Sequence, residues 1–160
     1  MNMIFSCDRA GGIGIGNRLL YSIPSDLARF KELTIGNTVV MGRATFLSLP
    51  GAKPLANRTN IVLSTDPDFS PDNVIVCRST DELLELCKSI DTEIFVIGGE
   101  IVFRQLEPYC TKAYVTLISG SSEADRHFTL GPQWTLTDIS DTYIYNSIEY
   151  RFAQFERTTI

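Results

Sequence analysis

The chain has 160 residues, 44% of them hydrophobic and 21% charged, with a formal net charge of −5 at pH 7. These values fit one globular domain over residues 1–160, and they argue against a disordered chain and against a nucleic-acid partner. The four cysteines are scattered and there is one histidine, His127, so the sequence predicts no metal site and a reducing, cytoplasmic location. The first residues lack the apolar run of a signal peptide, and no apolar run is long enough to span a membrane.

Apolar runs separated by turn and cap residues predict alternating strands and helices. Strands are predicted at residues 3–6, 38–41, 60–64, 73–77, 93–97 and 113–118, and helices at 21–34, 44–49, 79–89 and 100–106. Ser22 and Ser79 are the predicted N-caps of the first and third helices. Residues 134–140 and 147–155 are expected to close the sheet as antiparallel strands. This alternation favours right-handed crossovers and a mostly parallel α/β sheet.

The first predicted helix carries an acid on its apolar face. At about 100° per residue, Asp26 falls on the stripe of Leu27, Phe30, Leu33 and Thr34. The opposite face consists of Ala28, Arg29 and Glu32. A carboxylate desolvated there would have a raised pKa and could hold a proton near neutrality. The alternative is that Asp26 only complements the helix dipole, as acids in a first turn commonly do.

Three predicted strand ends carry residues suited to a phosphorylated dinucleotide. Ligands of parallel sheets lie at the carboxyl ends of strands, where loops meet helix N-termini. Gly98 and Gly99 follow one such strand and would let the backbone approach a phosphate. The cations and hydroxyls available for a ribose phosphate are Arg43, Ser64, Thr65 and Arg78. Each feature alone is also typical of an ordinary turn, and the glycines of residues 11–16 do not match G-x-G-x-x-G, so they are interpreted first as a mobile surface loop.

An ordered series of motifs resembles dihydrofolate reductase. The series comprises residues 13–14 (IG), 23–31 (IPSDLARFK), 40–45 (VMGRAT), Arg58 with 60–64 (NIVLS), 97–99 (IGG), 114–116 (YVT) and 125–128 (DRHF). The motifs stand in the order and approximate spacing of the family over nearly the whole chain. The resemblance implies a mostly parallel eight-stranded sheet with an antiparallel C-terminal strand, flanked by four helices.

The resemblance also implies an activity: NADPH-dependent reduction of dihydrofolate to tetrahydrofolate by hydride transfer, in support of one-carbon and thymidylate metabolism. The expected protein is a cytoplasmic monomer that binds this small molecule and no nucleic acid, membrane or metal. Asp26 would bind the pterin ring and favour its protonation through water, which Tyr21 would anchor, and Leu19 is the third implied catalytic residue.

The site residues implied by the resemblance cover both ligands. Those for the substrate are Ile4, Phe5, Asp26, Leu27, Phe30, Lys31, Leu49, Leu55, Arg58, Ile97, Phe103 and Thr116, with Arg58 on the glutamate α-carboxylate. Those for the cofactor are Ser6, Ile13, Gly14, Asn17, Leu19, Gly42, Arg43, Ala44, Thr45, Leu63, Ser64, Thr65, Arg78, Ile97, Gly98, Gly99, Glu100, Ile101, Val102 and Gln105. Residues 8–19 would form a lid over the nicotinamide, and the glycine pair would carry a non-proline cis peptide.

The chain departs from the pattern of the family at several positions. Residues 20–21 read Leu-Tyr where Pro-Trp is usual, and residues 55–58 read Leu-Ala-Asn-Arg where Leu-Pro-Gly-Arg is usual. Phe103 stands where a tyrosine is common. Ala44 and Ile101 replace basic residues beside the ribose phosphate, so the preference for NADPH over NADH is expected to be weaker than usual.

Two alternatives stay in view. A reductase of the same fold that acts on a ribosylamino-pyrimidine in riboflavin synthesis should lack the acid at the helix entry, so Asp26 and Arg58 argue against it. A non-catalytic nucleotide-binding module would not need residues for both a hydride donor and a substrate. His127 is expected to be a structural hydrogen-bonding residue.

Overall fold

The structure is a computed structural model that describes residues 1–16, 18–121 and 123–158. The strands are β1 (Asn2–Cys7), β2 (Gly12–Ile15), β3 (Arg18–Leu19), β4 (Thr38–Gly42), β5 (Thr59–Leu63), β6 (Ile75–Cys77), β7 (Ile94–Gly98), β8 (Lys112–Ile118), β9 (Arg126–His127), β10 (Trp134–Ile139), β11 (Tyr143–Tyr145) and β12 (Ile148–Arg157). The helices are α1 (Pro24–Thr34), α2 (Arg43–Ser48), α3 (Thr80–Cys87) and α4 (Glu100–Leu106). Short 3₁₀ turns at Pro50–Ala52 and Glu107–Tyr109 follow α2 and α4.

The main sheet has the strand order β10-β12-β8-β1-β7-β4-β5-β6, and the short β11 pairs with β12. From β8 to β6 neighbouring strands are parallel, whereas β12 runs antiparallel to β8 and to β10. The predicted mostly parallel sheet with an antiparallel C-terminal strand and four helices is therefore confirmed. The chain leaves β1 toward β4 and leaves the adjacent β7 toward β8, in opposite directions. This topological switch point is where α/β sheets open a ligand cleft.

The central strands β1, β4 and β7 are buried on both faces of the sheet, because helices cover each face. Alternate residues of the strands enter different apolar clusters, as the period of two requires. Met3 and Val40 belong to one cluster with Phe103, whereas Ile4 and Val39 belong to the other. The core thus fills both faces and leaves the carboxyl ends of the strands to form the site.

The glycine-rich segment forms a second sheet, so its interpretation as a surface loop was wrong. The strand order of this sheet is β3-β2-β9. A side chain would obstruct the close packing of the segment: a Cβ on Gly12 would lie 2.8 Å from the Cβ of Ala124, and one on Gly14 would lie 2.8 Å from the carbonyl oxygen of Arg18. Strands built on glycine lack the apolar alternation by which strands are predicted.

The start of α1 also differs from its prediction. The N-cap is Ile23, which makes no side-chain capping hydrogen bond, and Pro24 occupies the first turn. Ile23 is buried, and its carbonyl accepts hydrogen bonds from the amides of Asp26 and Leu27. The buried apolar anchor therefore sets the start of the helix, not the Ser22 hydroxyl. At α3 the prediction is confirmed, because the Ser79 hydroxyl accepts a hydrogen bond from the amide of Glu82.

Among the described residues, no helix combines the length and apolar character needed to cross a membrane.

Candidate active site

Asp26 lies in the first turn of α1 and faces the carboxyl-terminal half of β8. The Thr116 hydroxyl donates a hydrogen bond of 2.5 Å to Asp26 Oδ1. Burial raises the pKa of Asp26 above its usual range, while the bond from Thr116 and the charge of Arg29 act in the opposite direction. The carboxyl group therefore holds its proton to a higher pH than an exposed aspartate does. This partly buried, hydrogen-bonded acid differs from one that only complements a helix dipole.

The surroundings of Asp26 are apolar and aromatic. Phe30 packs against the cluster that contains Ile4, whereas Leu27 is 45% exposed. Arg29 is only half exposed to solvent, and its guanidinium carbon lies 4.6 Å from the ring centre of Phe152. The sequence placed Arg29 on the face of α1 opposite the apolar stripe, but did not predict that its guanidinium reaches this ring. A long arginine side chain can fold back over neighbouring aromatic rings, which the helical periodicity does not register.

Arg58 lies at the opposite end of α1 from Asp26. Its Nη1 donates a hydrogen bond of 3.0 Å to the Thr34 hydroxyl, and its Nε donates one of 3.0 Å to the carbonyl oxygen of Ala56. The guanidinium carbon also lies 6.0 Å from the ring centre of Phe30. Eight residues of helix separate Asp26 from Thr34, which corresponds to about 12 Å along the axis. The Asp26 carboxyl group thus lies at the start of α1, and the hydrogen-bonded guanidinium of Arg58 lies at its end.

The β4–α2 and β7–α4 turns meet at the switch point. The Gly98–Gly99 peptide is cis, as predicted. A Cβ on Gly98 or Gly99 would lie 3.6 or 3.5 Å from the Thr45 hydroxyl, so this hydroxyl lies beside the glycine pair. A Cβ on Gly42 would lie 3.0 Å from Val102 Cγ2. The glycines therefore keep the two turns close together and leave backbone amides and a hydroxyl near the cleft.

Two arginines from other elements, Arg43 at the start of α2 and Arg78 after β6, contact the loop that follows β5. Arg43 Nη1 lies 3.8 Å from Asp66 Oδ2, and its guanidinium carbon lies 5.7 Å from the ring centre of Phe69. Arg78 donates from Nη1 to the carbonyl oxygen of Asp66 and from Nη2 to that of Phe69, the latter at 2.9 Å. Sequence reasoning predicted both arginines and missed Asp66. Asp66 could have been identified from the sequence because it directly follows Ser64 and Thr65, two of the predicted cofactor residues.

Two further acids missed by sequence reasoning organise the glycine-rich sheet. Asp8 is buried, and its Oδ1 accepts hydrogen bonds from the amides of Ala10 and Gly12 at 3.0 and 2.8 Å. Asp125 Oδ2 accepts one of 3.0 Å from the amide of Gly16. A cavity of about 360 Å³ separates this sheet from α2 and is lined by Gly16, Arg18, Ala44, Leu47 and Ser48. The glycine-rich segment therefore faces α2 across an open space.

The other predicted site residues fall into two groups. Leu49, Leu55 and Ile97 pack against the apolar cluster that contains Ile4, while Phe5 packs against the cluster that contains Phe103, and Tyr21 against that of Ile23. Of the predicted cofactor residues, Ser6, Ile13, Leu63, Ser64 and Glu100 are half-buried and Leu19, Ala44, Thr65, Ile101 and Gln105 are exposed, as is the substrate residue Lys31. Asn17 lies outside the described residues. The individual ligand contacts of all these residues stay predictions.

Phe103 and His127 are placed in more detail. Phe103 is 2% exposed, and its ring lies 3.5 Å from the position of a Cβ on Gly98, so it supports the glycine pair from the core side. The backbone amide of His127 donates a hydrogen bond of 2.8 Å to Glu100 Oε1. Within the described ranges, no three histidine, cysteine or acidic side chains form a group that could hold a metal ion.

A doubly covered parallel sheet, with a partly buried acid and two glycine-held turns at its switch point, defines the chain as an α/β enzyme of the nucleotide-binding type. Residues 1–157 match the family model described as dihydrofolate reductase. The chain belongs to the dihydrofolate reductase family. This finding confirms the predicted family and the predicted class of oxidoreductase.

Similar proteins agree with this assignment over nearly the full chain. The dihydrofolate reductase of Bacillus subtilis (strain 168) is 40% identical over 161 residues, which cover 98% of this chain and 94% of that protein. That of Staphylococcus aureus is 33% identical over 138 residues, which cover 86% and 81%. Among solved structures, dihydrofolate reductase from Enterococcus faecalis complexed with NADP(H) and RAB-propyl has a TM-score of 0.89, 34% identity and coverages of 99% and 96%.

Proposed function

We propose that this protein reduces dihydrofolate to tetrahydrofolate with NADPH and so supports one-carbon and thymidylate metabolism. Family membership supports the reaction, and the observation that carries the proposal is Asp26, a partly buried acid bound to Thr116 of β8, the strand beside β1. The direct test mixes the protein with NADPH and dihydrofolate and follows the loss of reduced-nicotinamide absorbance. Oxidation of NADPH with a ribosylamino-pyrimidine, and none with dihydrofolate, would contradict the proposal.

Asp26 is assigned the pterin end of the substrate. The amino group and ring N–H of a pterin are adjacent donors, and a carboxylate can accept from both in parallel. The Thr116 hydroxyl occupies one Asp26 oxygen and fixes the plane of the carboxyl group. In this position Asp26 favours protonation of the pterin through an intervening water, because burial raises its pKa and lets the carboxyl group hold a proton to a higher pH than an exposed aspartate does. NADPH, when bound, supplies the hydride.

The residues around the two glycine-held turns fit a phosphorylated dinucleotide. The hydroxyl of Thr45 lies beside the Gly98–Gly99 pair, and a hydroxyl and backbone amides are donors suited to a pyrophosphate. Arg43 is half exposed at the start of α2 and offers a fork of donors to the ribose phosphate. We assign these residues to the cofactor, together with Ser64 and the other cofactor residues predicted from the resemblance.

Arg58 is assigned the far end of the substrate. A folate is a long molecule with a flat ring at one end and a glutamate carboxylate at the other. The Asp26 carboxyl group and the Arg58 guanidinium lie at opposite ends of a helical segment that is about 12 Å long, from Asp26 to Thr34. Because Thr34 and Ala56 already hold the guanidinium, little conformational freedom is lost when it binds a carboxylate.

The glycine-rich sheet is assigned the role of a lid, and Asp125 is the residue that tests it. Asp125→Ala removes the carboxylate that accepts from the Gly16 amide, so the segment should close less often over the nicotinamide. We expect single-turnover hydride transfer to slow about tenfold, the size expected for one charge-assisted hydrogen bond. Glu123→Ala removes an exposed acid two residues earlier and should leave the rate unchanged. Equal rates for the two variants would remove the lid role of Asp125.

We further propose that the protein is a single-domain, cytoplasmic monomer. The four cysteines are free thiols, and burial raises the pKa of Cys77 to about 11 and that of Cys110 to about 12, so they fit a reducing compartment. Light scattering after size-exclusion chromatography tests the monomer directly. A mass that is twice that of the chain would contradict it.

A further inference from the structure

Asp66 places a negative charge beside the arginine assigned to the ribose phosphate. Its Oδ2 lies 3.8 Å from Arg43 Nη1, and both side chains are partly exposed. We propose that Asp66 limits the selectivity of this site for 2′-phosphorylated over unphosphorylated dinucleotides, because its carboxylate competes with the phosphate for Arg43. The inference rests on the proposed function in one respect, namely that Arg43 binds the 2′-phosphate of the cofactor.

Hydrogen bonds hold three of the four polar atoms of Asp66 in place. Its amide donates to the Ser64 hydroxyl at 3.2 Å, and its carbonyl accepts from Arg78 Nη1. Its Oδ1 accepts from the amide of Asp68 at 2.9 Å, which leaves Oδ2 toward Arg43. A side chain anchored in this way cannot turn its charge far from Arg43 when a second anion arrives.

Of the two arginines that contact this loop, Arg43 has more free hydrogen-bond donors for a phosphate. Arg78 already donates from both terminal nitrogens to the carbonyls of Asp66 and Phe69. Arg43 has the ring of Phe69 near its guanidinium, and its distance to Asp66 is longer than a hydrogen bond. A phosphate can therefore displace Asp66 from Arg43 but must then lie close to the displaced carboxylate.

The charges around this point nearly cancel. Asp66, Asp68 and Glu82, whose carboxylate accepts from the Arg78 amide, offset Arg43 and Arg78. Ile101, which the resemblance assigns to the ribose phosphate, is 70% exposed and adds no cation. A ribose phosphate adds negative charge to this balanced set, whereas an unphosphorylated ribose adds none. Competition from Asp66 for the Arg43 guanidinium therefore weakens the binding of NADPH and leaves that of NADH unchanged.

The test is the binding of each dinucleotide to Asp66→Asn, measured by titration calorimetry without substrate. Asparagine can still accept from the Asp68 amide through its side-chain oxygen, so the loop anchor is retained while the charge is lost. We expect the Kd for NADPH to fall about fivefold and that for NADH to change less than about twofold, as for an exposed ion pair. The increase in affinity for NADPH should become smaller at high salt concentration, because salt screens exposed charges.

Asp68→Asn is the matched control, since it removes the same charge from the same loop without the contact to Arg43. It should change either Kd by less than about twofold. The inference is overturned if Asp66→Asn leaves the ratio of the two Kd values unchanged, if Asp68→Asn shifts it equally, or if the gain persists in an Arg43→Gln background. These experiments measure binding and do not require turnover. A protein that binds NADPH but does not reduce dihydrofolate would refute the proposed function, whereas the inference about Asp66 would still be decided by the Kd values.

Discussion

Asp26→Asn is expected to slow hydride transfer to dihydrofolate by about 10²- to 10⁴-fold near neutral pH, the contribution typical of a positioned acid or base. Asparagine keeps the shape of the side chain and an oxygen that can accept from Thr116. It cannot take up or release a proton, so it can no longer pass one to the pterin through water. NADPH binding should stay nearly unchanged, because the proposed cofactor residues lie on other elements.

The pH dependence separates this role from a general loss of structure. In the unmodified protein the rate should fall as pH rises through the raised pKa of Asp26, where the carboxyl group loses its proton. The variant should be slowest near and above neutrality and should partly recover in acid, where the solvent protonates the pterin. Single-turnover rates with preformed NADPH complex, measured across the pH range, report this directly. Turnover equal to that of the unmodified protein at every pH would show that Asp26 does not act on the pterin.

Stability provides the control for the same variant. Burial raises the pKa of Asp26 in the folded state above its unfolded value, so the native state binds the proton more tightly. The resulting stabilisation is complete below the unfolded pKa and is lost as pH rises through the folded pKa. An uncharged asparagine should therefore raise the free energy of unfolding near neutral pH by about 0.5–1.5 kcal/mol, a common gain when a functional charge is removed. Urea denaturation measures this change, and a large decrease would assign Asp26 to folding.

The features that could be predicted from the sequence are those with a local pattern. The strand and helix pattern of the main sheet follows from the spacing of apolar residues, and Asp26 was identified because it interrupts the apolar stripe of α1. The Ser79 cap is equally local, since its partner Glu82 is three residues away. The order of the strands was not predicted, because no spacing along the chain encodes which strands pair.

The features that could not be predicted depend on contacts between distant residues. Gly16 and Asp125 are separated by 109 positions, and neither has neighbours that reveal the contact. Asp66 was missed for another reason: an acid in a polar loop is unremarkable until Arg43 is placed beside it. Arg29 shows the limit of helical periodicity, which gives the direction of the Cβ but not the course of a long side chain.

Arg58→Gln is expected to raise the KM for dihydrofolate by about 100-fold while kcat changes little, because it removes charge-assisted hydrogen bonds far from the reacting atoms. Arg58→Lys should retain part of the binding and raise KM about tenfold, since an ammonium group keeps the charge but not the fork. Steady-state kinetics of both variants with saturating NADPH give these values. A fall in kcat with unchanged KM would place Arg58 outside the carboxylate site.

A substrate without the glutamate separates carboxylate binding from a general distortion of the cleft. A reduced pterin that ends before the glutamate should bind the unmodified protein and Arg58→Gln with the same affinity, because it offers no partner to the guanidinium. Arg151→Lys is the matched control, as this exposed arginine donates to the Thr142 hydroxyl at 2.8 Å much as Arg58 donates to Thr34. It should leave both substrates unaffected. If Arg58→Gln weakened the truncated substrate as much as dihydrofolate, the residue would act by shaping the C-terminal end of α1 through Thr34, and the carboxylate would have to be bound elsewhere.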